Sequence, residues 1–173
     1  DVTHLQKNKM KAYRKDVQMI FQDPFSSLNP RMTVAETIAE PLRNYASGDD
    51  REGIVKKVAS LMDTVGLASR LANSYPHELD GGRRQRIGIA RALGLGPRFI
   101  VCDEPVSALD VSIQAQILNL MMDLQDEKGL TYMFITHNLS VVKHISDQIG
   151  VMYLGNLVEK SETKELFRNP MHP

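Results

Sequence analysis

The apolar residues of this chain fall into short runs separated by longer stretches of helical spacing. Mostly apolar runs occur at residues 17–21, 99–102, 132–136 and 149–153. Apolar side chains recur three or four positions apart over residues 51–65 and 112–127. Short runs of this kind predict strands, and those at 99–102 and 132–136 are expected to be buried on both faces of a sheet. Strands that alternate with helices predict an α/β fold with a parallel sheet.

Capping residues set the expected ends of the helices. Thr33 is predicted to cap a short helix that Pro41 ends, because proline cannot continue a helical hydrogen-bond ladder. Asp80 is the natural N-cap of a predicted helix that begins at Arg83. Gly129 is expected to end the helix that precedes it.

The predicted strands lead into groups that can do chemistry. Gln22 follows the first strand, Asp103 and Glu104 the second, and His137 the third. Because open α/β sheets bind ligands at the carboxyl ends of their strands, an amide, an acid pair and an imidazole are expected at one edge. Simpler interpretations exist: the acid pair as a turn and helix cap, the glutamine as a turn residue and the histidine as a structural residue.

A second candidate site lies at Gly81 and Gly82, which open the helix after Asp80. The free N–H groups and the positive end of the helix dipole favour phosphate there. Together with the strand-end carboxylates, this pattern predicts phosphoryl transfer to water.

Composition narrows the classes of protein. The 21 basic and 21 acidic residues cancel, so no overall field attracts nucleic acid, and nucleic acid is not an expected partner. The single cysteine, Cys102, is interpreted as a small core residue, which suits a reducing compartment. No apolar stretch approaches the roughly 20 residues that span a bilayer, and the first residues are unlike a secretion signal, so a cytosolic protein is expected.

The motifs resemble one family in order and spacing: the ATP-binding subunits of ATP-binding-cassette (ABC) transporters. Residues 79–83 are similar to its Leu-Ser-Gly-Gly-Gln signature, residues 99–104 to the Walker B strand and residues 107–110 to the D-loop. Gln22 resembles the Q-loop glutamine and His137 the switch histidine. Importer-like segments occur at residues 21–24, 27–33, 102–116 and 169–173, which are similar to the oligopeptide and dipeptide importers of bacteria.

The resemblance implies a division of the chain. Residues 1–24 and 98–173 would form parts of the catalytic core, with a partial P-loop-NTPase-like sheet and flanking helices. Residues 25–97 would form an α-helical subdomain that carries the signature motif.

It also implies a role for each strand-end residue. Asp103, with Gln22, would hold Mg²⁺, and Glu104 would act as general base on the attacking water. His137 would contact the γ-phosphate or the water, and Gln22 would sense the γ-phosphate.

In the signature, Asp80, Gly81, Gly82 and Arg83 would contact ATP bound to a partner subunit. Asp110 would bridge to that partner, or simply cap the helix that follows it. Two residues of the signature depart from the family pattern, since Asp80 replaces serine and Arg83 replaces glutamine. Outside the signature, Asn138 departs from the aspartate usual in the importer subfamily. A carboxylate about 4 Å from a phosphate costs on the order of 4 kcal/mol at an effective dielectric constant of ~20, so a weakened site is expected unless Asp80 serves only as a helix cap.

The implied partners are a second ATP-binding subunit, permease subunits docked on residues 25–45 and, indirectly, a peptide-binding protein. The implied place is the cytoplasmic face of the inner membrane, with ATP and Mg²⁺ as cofactors. Two alternatives stay open: a non-catalytic module that completes a partner's ATP site, or a soluble ABC ATPase without a membrane partner.

One motif is missing. The phosphate-binding loop requires a Gly-Lys pair, and the chain has none. No other segment offers the loop's preformed nest of amides. The chain is therefore expected to correspond to the later part of such an ATPase and, alone, to hydrolyse ATP negligibly.

Overall fold

The computed structural model describes residues 2–23, 26–45 and 50–172, apart from the side chain of Lys7. Its contacts divide the chain into two compact units, Asp1–Met133 and Phe134–Pro173. The division expected from the family resemblance stays a prediction. Its boundary between residues 24 and 25, and residues 46–49 of the expected helical subdomain, lie outside the described residues.

The first unit holds five helices and most of a sheet within its described residues. Its helices are α1 Lys7–Asp16, α2 Val34–Tyr45, α3 Arg51–Thr64, α4 Gly81–Leu93 and α5 Val111–Lys128, with short 3-10 turns at Ser69–Leu71 and Pro76–Glu78. The strands are β1 Val17–Ile20, β2 Phe99–Asp103 and β3 Thr131–Ile135, the last of which crosses into the second unit.

Strand order places β2 in the middle of the sheet, between β1 and β3. β1 and β2 run parallel, with Val17 opposite Phe99 and Ile20 opposite Cys102. Their carboxyl ends therefore lie at the same edge, and the predicted α/β fold with a parallel sheet is confirmed.

The expectation that the strands are buried on both faces is wrong. In β2, Ile100 and Cys102 are buried but the alternate residues are only half-buried. In β3, Met133 is 52 % exposed and Ile135 44 %. Successive strand side chains point to opposite faces, and among the described residues only one face is well covered.

The expected end of the helix at Pro41 is also wrong, because α2 continues through it to Tyr45. A proline inside a helix costs about 3 kcal/mol. Packing offsets that cost: Ile38 is fully buried, and the Pro41 ring lies 3.6 Å from where a Cβ on Gly94 would stand. Beyond the proline, the Tyr45 hydroxyl donates to the carbonyl of Lys11 at 3.2 Å.

Helices α3 and α5 form where the apolar spacing predicts them. Thr33 and Glu36 make a reciprocal capping box at the start of α2, and Gly129 ends α5 with a φ of 62°. The apolar faces of α3, α4 and α5 supply most of the core. Their buried side chains include Val58, Leu61, Met62, Ile87, Ile89, Leu93, Ile117, Met121 and Leu124.

The second unit contains α6 Leu139–Ile145, β4 Gln148–Tyr153, β5 Asn156–Glu162 and α7 Thr163–Arg168. The turn residues Gly155 and Asn156 predict that the segment after them pairs back on the strand before them. β4 and β5 form this antiparallel hairpin, which is a separate two-stranded sheet. Among the described residues, no helix combines the length and the apolar character that crossing a membrane requires.

Candidate functional site

Strand pairing brings together residues that are distant in sequence. Gln22 follows β1, Asp103 ends β2 and Glu104 comes next; we call these three residues the strand-end cluster. The Gln22 side-chain Nε2 donates to Oε2 of Glu104 at 3.1 Å, although 82 positions separate them. The predicted meeting of glutamine and acid at one sheet edge is therefore confirmed, because the parallel register of β1 and β2 ends both strands at the same level.

Glu104 has an unusual backbone conformation. Its φ of 42° lies in the left-handed region, which costs a residue with a side chain about 1–2 kcal/mol. A tight turn holds it there, since the Glu104 carbonyl accepts from both the backbone N–H and the hydroxyl of Ser107, at 3.2 and 3.1 Å. Strain of this kind concentrates at functional sites, where surrounding contacts fix a side chain in one direction.

The strand-end cluster offers only oxygen donors to a cation. Asp103 and Glu104 contribute carboxylates, and the Gln22 amide oxygen is a further donor, since its nitrogen faces Glu104. Among the described residues, no three acidic, histidine or cysteine side chains are grouped so that they could hold a metal ion by themselves. Mg²⁺ is held by one or two carboxylates plus water and substrate phosphates, so these residues fit Mg²⁺ and not an all-protein metal cage.

The start of α4 forms a second group, which we call the helix-end cluster: Asp80, Gly81, Gly82 and Arg83. Asp80 Oδ1 accepts from the backbone N–H of Arg83 at 2.8 Å, which confirms Asp80 as the N-cap. Asp80 Oδ2 also lies 3.4 Å from Nε of Arg83. Both side chains are about half-exposed, so this ion pair contributes little stability.

The two glycines let α4 approach α5 closely. A Cβ on Gly81 would stand 2.9 Å from Cδ2 of Leu109, and a Cβ on Gly82 only 2.7 Å from Cγ2 of Ile113. A side chain at Gly82 would push the helices apart. Gly82 is therefore required for the close packing of α4 on α5, whatever its amide binds, whereas the flexible Leu109 side chain can move away from a Cβ on Gly81.

The same packing places Asp110 beside the helix-end cluster, next in sequence to Leu109. Asp110 occupies the N-cap position of α5, but its side chain makes no capping hydrogen bond among the described residues. Asp110 therefore stands at the predicted cap position of the helix, but its side chain does not make the hydrogen bond of a cap.

Comparison with known proteins explains this arrangement. The family described as ABC transporter matches residues 1–107. The chain belongs to the ABC transporter family. The resemblance seen in the motifs is confirmed, and so is the fold class, since solved ABC structures superpose on this chain.

Among curated relatives, the oligopeptide transport ATP-binding protein OppF of Bacillus subtilis (strain 168) is 58 % identical over 167 residues, covering 96 % of this chain and 55 % of that protein. OppF of Escherichia coli (strain K12) is 59 % identical over 163 residues, covering 94 % and 49 %. The dipeptide transport ATP-binding protein DppF of Haemophilus influenzae is 54 % identical over 162 residues, covering 92 % and 49 %. The chain spans about half the length of these relatives.

Two solved ABC structures are similar in shape. One is cbiO1 of Clostridium perfringens, part of the ABC transporter complex cbiONQ, with a TM-score of 0.83 and 26 % identity over 95 % of this chain and 64 % of that one. The other is the ATP-binding cassette MJ0796, a dimer in a post-hydrolysis state bound to ADP and Pi, with a TM-score of 0.79 and 28 % identity over 92 % of this chain and 68 % of that one.

His137, which the motif resemblance assigns to the switch position, lies exposed in the second unit, in the turn between β3 and α6. Its neighbour Asn138 departs from the family's aspartate. Asn138 Oδ1 caps α6 by accepting from the backbone N–H groups of Ser140, at 3.0 Å, and Val141, at 3.4 Å. Asparagine and aspartate cap helices about equally well, so this departure preserves the turn. The role of His137 itself stays a prediction.

Two arginines of α4 have contacts that sequence reasoning missed. Arg86 Nη1 donates to the carbonyl of Val65 at the end of α3, at 2.6 Å, and Arg91 Nη1 donates to the carbonyl of Ser27 at 2.8 Å. Burial lowers the pKa of the Arg91 guanidinium, and the Glu40 carboxylate partly opposes that shift. The sequence does contain a sign of these contacts: Arg86 and Arg91 are charged residues within the largely buried, apolar part of a helix, where each needs a hydrogen-bond acceptor.

Cys102 is a core residue of this ABC chain, as expected. It is fully buried in β2, and burial raises the pKa of its thiol. Burial, and secondly the charge of Cys102, raise the pKa of Tyr132 on β3. Neither group is ionised near neutral pH, so neither is a candidate nucleophile.

Proposed function

We propose that this chain is part of an ATP-hydrolysing subunit that energises oligopeptide or dipeptide import across the inner membrane of bacteria. The observation that carries the proposal is the contact of Gln22 with Glu104 at the ends of paired parallel strands. Its support is that relatives more than half identical along nearly the whole chain are named oligopeptide transport ATP-binding proteins.

The strand-end cluster suits activation of water. Glu104 would orient a water molecule and accept its proton, and the Gln22 amide would keep the carboxylate in one direction. Asp103 would hold Mg²⁺ at the neighbouring position. The bound magnesium and ATP would supply the electrophilic phosphorus and neutralise the charge that develops on it. His137 would contact the γ-phosphate or the water.

The helix-end cluster suits recognition of a nucleotide held by a second ATP-binding subunit. The backbone N–H groups of Gly81 and Gly82 point outward from the start of α4, where the helix dipole favours anions. Asp80 opposes a phosphate there, and the Arg83 charge offsets part of that repulsion. Asp110, beside this cluster, would contact the partner. The dimeric state of the solved MJ0796 cassette supports a paired arrangement.

A groove between α2 and α3 suits the permease subunits. It has a volume of about 480 Å³ and overlaps the segment 25–45 that the resemblance assigns to permease docking. Apolar side chains that line it include Ala35, Ala39, Ile54, Val55, Val58 and Met62. The proposed occupant is a cytoplasmic segment of a permease subunit, which would place this chain peripherally at the cytoplasmic face. A peptide-binding protein would act through the permease.

The direct test is a composite protein in which this chain replaces the matched segment of OppF from Bacillus subtilis. In cells lacking the native subunit, the composite should restore uptake of a labelled oligopeptide, and Glu104→Gln in the composite should abolish it. A composite that reaches normal abundance and still gives no uptake would contradict the proposal.

Permease docking is tested in the same composite. Val55→Asp should reduce co-purification with the permease subunits, because Val55 is 68 % exposed in the groove. Lys56→Asp, which adds a carboxylate one residue along and outside the groove lining, is the control and should leave co-purification intact. Equal loss in both variants would exclude the groove as the docking surface.

This chain without a phosphate-binding loop should hydrolyse ATP negligibly. The test is purified chain with magnesium and ATP, with the composite protein as positive control. Robust magnesium-dependent turnover by the chain alone would contradict the expectation.

A further inference from the structure

One arginine joins the signature-bearing helix to the loop after β1. Arg91 Nη1 donates to the carbonyl oxygen of Ser27 at 2.8 Å, in a partly buried position. Guanidinium stays charged near neutral pH, and hydrogen bonds from charged donors are roughly twice as strong as neutral ones. This contact is therefore a firm attachment between two segments that are 64 positions apart.

The attachment continues to the strand-end cluster. The backbone N–H of Ser27 donates to the carbonyl of Asp23, the residue after Gln22, at 3.1 Å. Gln22 in turn donates to Glu104 at 3.1 Å. Hydrogen bonds and one peptide bond thus connect Arg91 to the Glu104 carboxylate without a gap.

The other end of α4 is the helix-end cluster. Arg91 lies eight residues after Arg83, or about 12 Å along a rigid helix. The end of α4 is packed firmly, since a Cβ on Gly94 would meet Pro41 and Leu42 of α2 within 4 Å. A displacement of α4 therefore carries the Ser27 carbonyl with it.

We propose that Arg91 is a positioning residue that ties the loop after Gln22 to α4 and thereby fixes the Gln22 amide against the Glu104 carboxylate. The consequence for hydrolysis rests on the proposed function: a partner's nucleotide at the helix-end cluster would act on the water-activating carboxylate of the same chain through Arg91. The positioning itself does not rest on it.

The experiment follows the Gln22 side-chain amide by nuclear magnetic resonance in the purified chain, without nucleotide. Gln22→Ala identifies the resonance of the Gln22 side-chain amide, because that resonance disappears. Glu104→Gln gives the chemical shift of this amide when no carboxylate accepts its hydrogen bond. Arg91→Met should move the Gln22 resonance most of the way to the Glu104→Gln value. It should also speed hydrogen exchange at the backbone amides of Ser27 and Met32 about tenfold, because both are bonded within the attached loop.

Arg86→Met is the matched control. Arg86 lies on the same helix and makes the same kind of bond, but to Val65 at the end of α3. Its loss should speed exchange at Gly66 and Leu67, which are hydrogen-bonded there, and leave the Gln22 resonance at the wild-type value.

Two results would overturn the proposal: a Gln22 resonance at the wild-type value in Arg91→Met, or an equal shift in Arg86→Met. If Arg91→Met does not fold, Arg91→Lys decides. Lysine keeps the charge but lacks the planar fork, so an intermediate resonance is expected and a wild-type resonance would overturn the proposal. Because no nucleotide is present, these outcomes are separate from failure of the composite protein to support uptake.

Discussion

The strand-end cluster and the helix-end cluster are held in place by different kinds of contact. Gln22 and Glu104 meet because β1 and β2 pair in parallel, 82 positions apart. The four residues of the helix-end cluster are consecutive, and they are fixed by the local cap of Asp80 and by close packing of the glycines on Leu109 and Ile113. The first cluster therefore depends on strand pairing, whereas the second depends on one local hydrogen bond and on close side-chain packing.

The largest expected effect is on ATP hydrolysis, where substitutions in the two clusters should act in opposite directions. Glu104→Gln in the composite protein should lower ATP hydrolysis by roughly 10²- to 10⁴-fold, because it removes the proposed general base. Asp80→Ser should raise turnover at limiting ATP, since it removes a carboxylate facing the partner's phosphate. Steady-state rates over a range of ATP concentrations measure both. Because serine keeps a capping oxygen, unchanged or lower turnover with Asp80→Ser would contradict the assigned repulsion.

A second prediction tests whether glycine packing holds the helix-end cluster. Gly82→Ala should lower the free energy of unfolding by about 1–3 kcal/mol, because the new Cβ would lie 2.7 Å from Ile113. Gly88→Ala is the control on the same helix, where a Cβ meets nothing within 4 Å. It should stabilise the chain by up to about 1 kcal/mol, as alanine favours helix over glycine. Urea unfolding of both variants gives the comparison, and equal signs would contradict it.

The cap of the helix-end cluster should have a smaller effect. Asp80→Ala should cost about 1 kcal/mol of stability, because the Arg83 N–H loses its acceptor. Asp80→Ser keeps a capping oxygen and should stay within a few tenths of a kcal/mol of the wild type. Thermal unfolding measures both variants, and equal loss in the two would mean that the carboxylate charge, not the cap, is what stabilises the helix.

The smallest effect concerns the capping box of α2, a local cap outside both clusters. Hydrogen bonds from Thr33, first its backbone N–H and then its hydroxyl, hold the pKa of the exposed Glu36 carboxyl below its usual value. A lowered folded-state pKa gives stability that is present above the unfolded pKa of about 4.3 and is lost as the pH falls through the folded-state value.

The midpoint of unfolding of Glu36→Gln should therefore lie slightly below that of the wild type near neutral pH, and the gap should close in acid. Thermal scans at a series of pH values measure it. A gap that widens toward low pH would contradict the assigned cause.

Helix caps and turns could be predicted from the sequence because they depend on neighbouring residues. The Asp80 cap, the Gly129 helix end and the hairpin of the second unit all follow from nearby side chains. The meeting of Gln22 with Glu104 could also be predicted, because the carboxyl ends of parallel strands lie at one edge of a sheet.

Features that depend on tertiary packing were not readable. The continuation of α2 past Pro41 requires the surface of α4 at Gly94, and the exposure of Met133 depends on what covers the sheet. The bond from Arg91 to Ser27 joins two segments whose sequences carry no sign of each other.

The central claim, that Gln22 and Glu104 act as one hydrolytic unit, is tested most directly by a double-mutant cycle. ATP hydrolysis is measured in the composite protein with Gln22→Ala, with Glu104→Gln and with both. If the two residues act together, the double variant should be about as slow as Glu104→Gln alone, so that the two effects are strongly non-additive. Losses that simply multiply would show that the residues act independently and would contradict the claim.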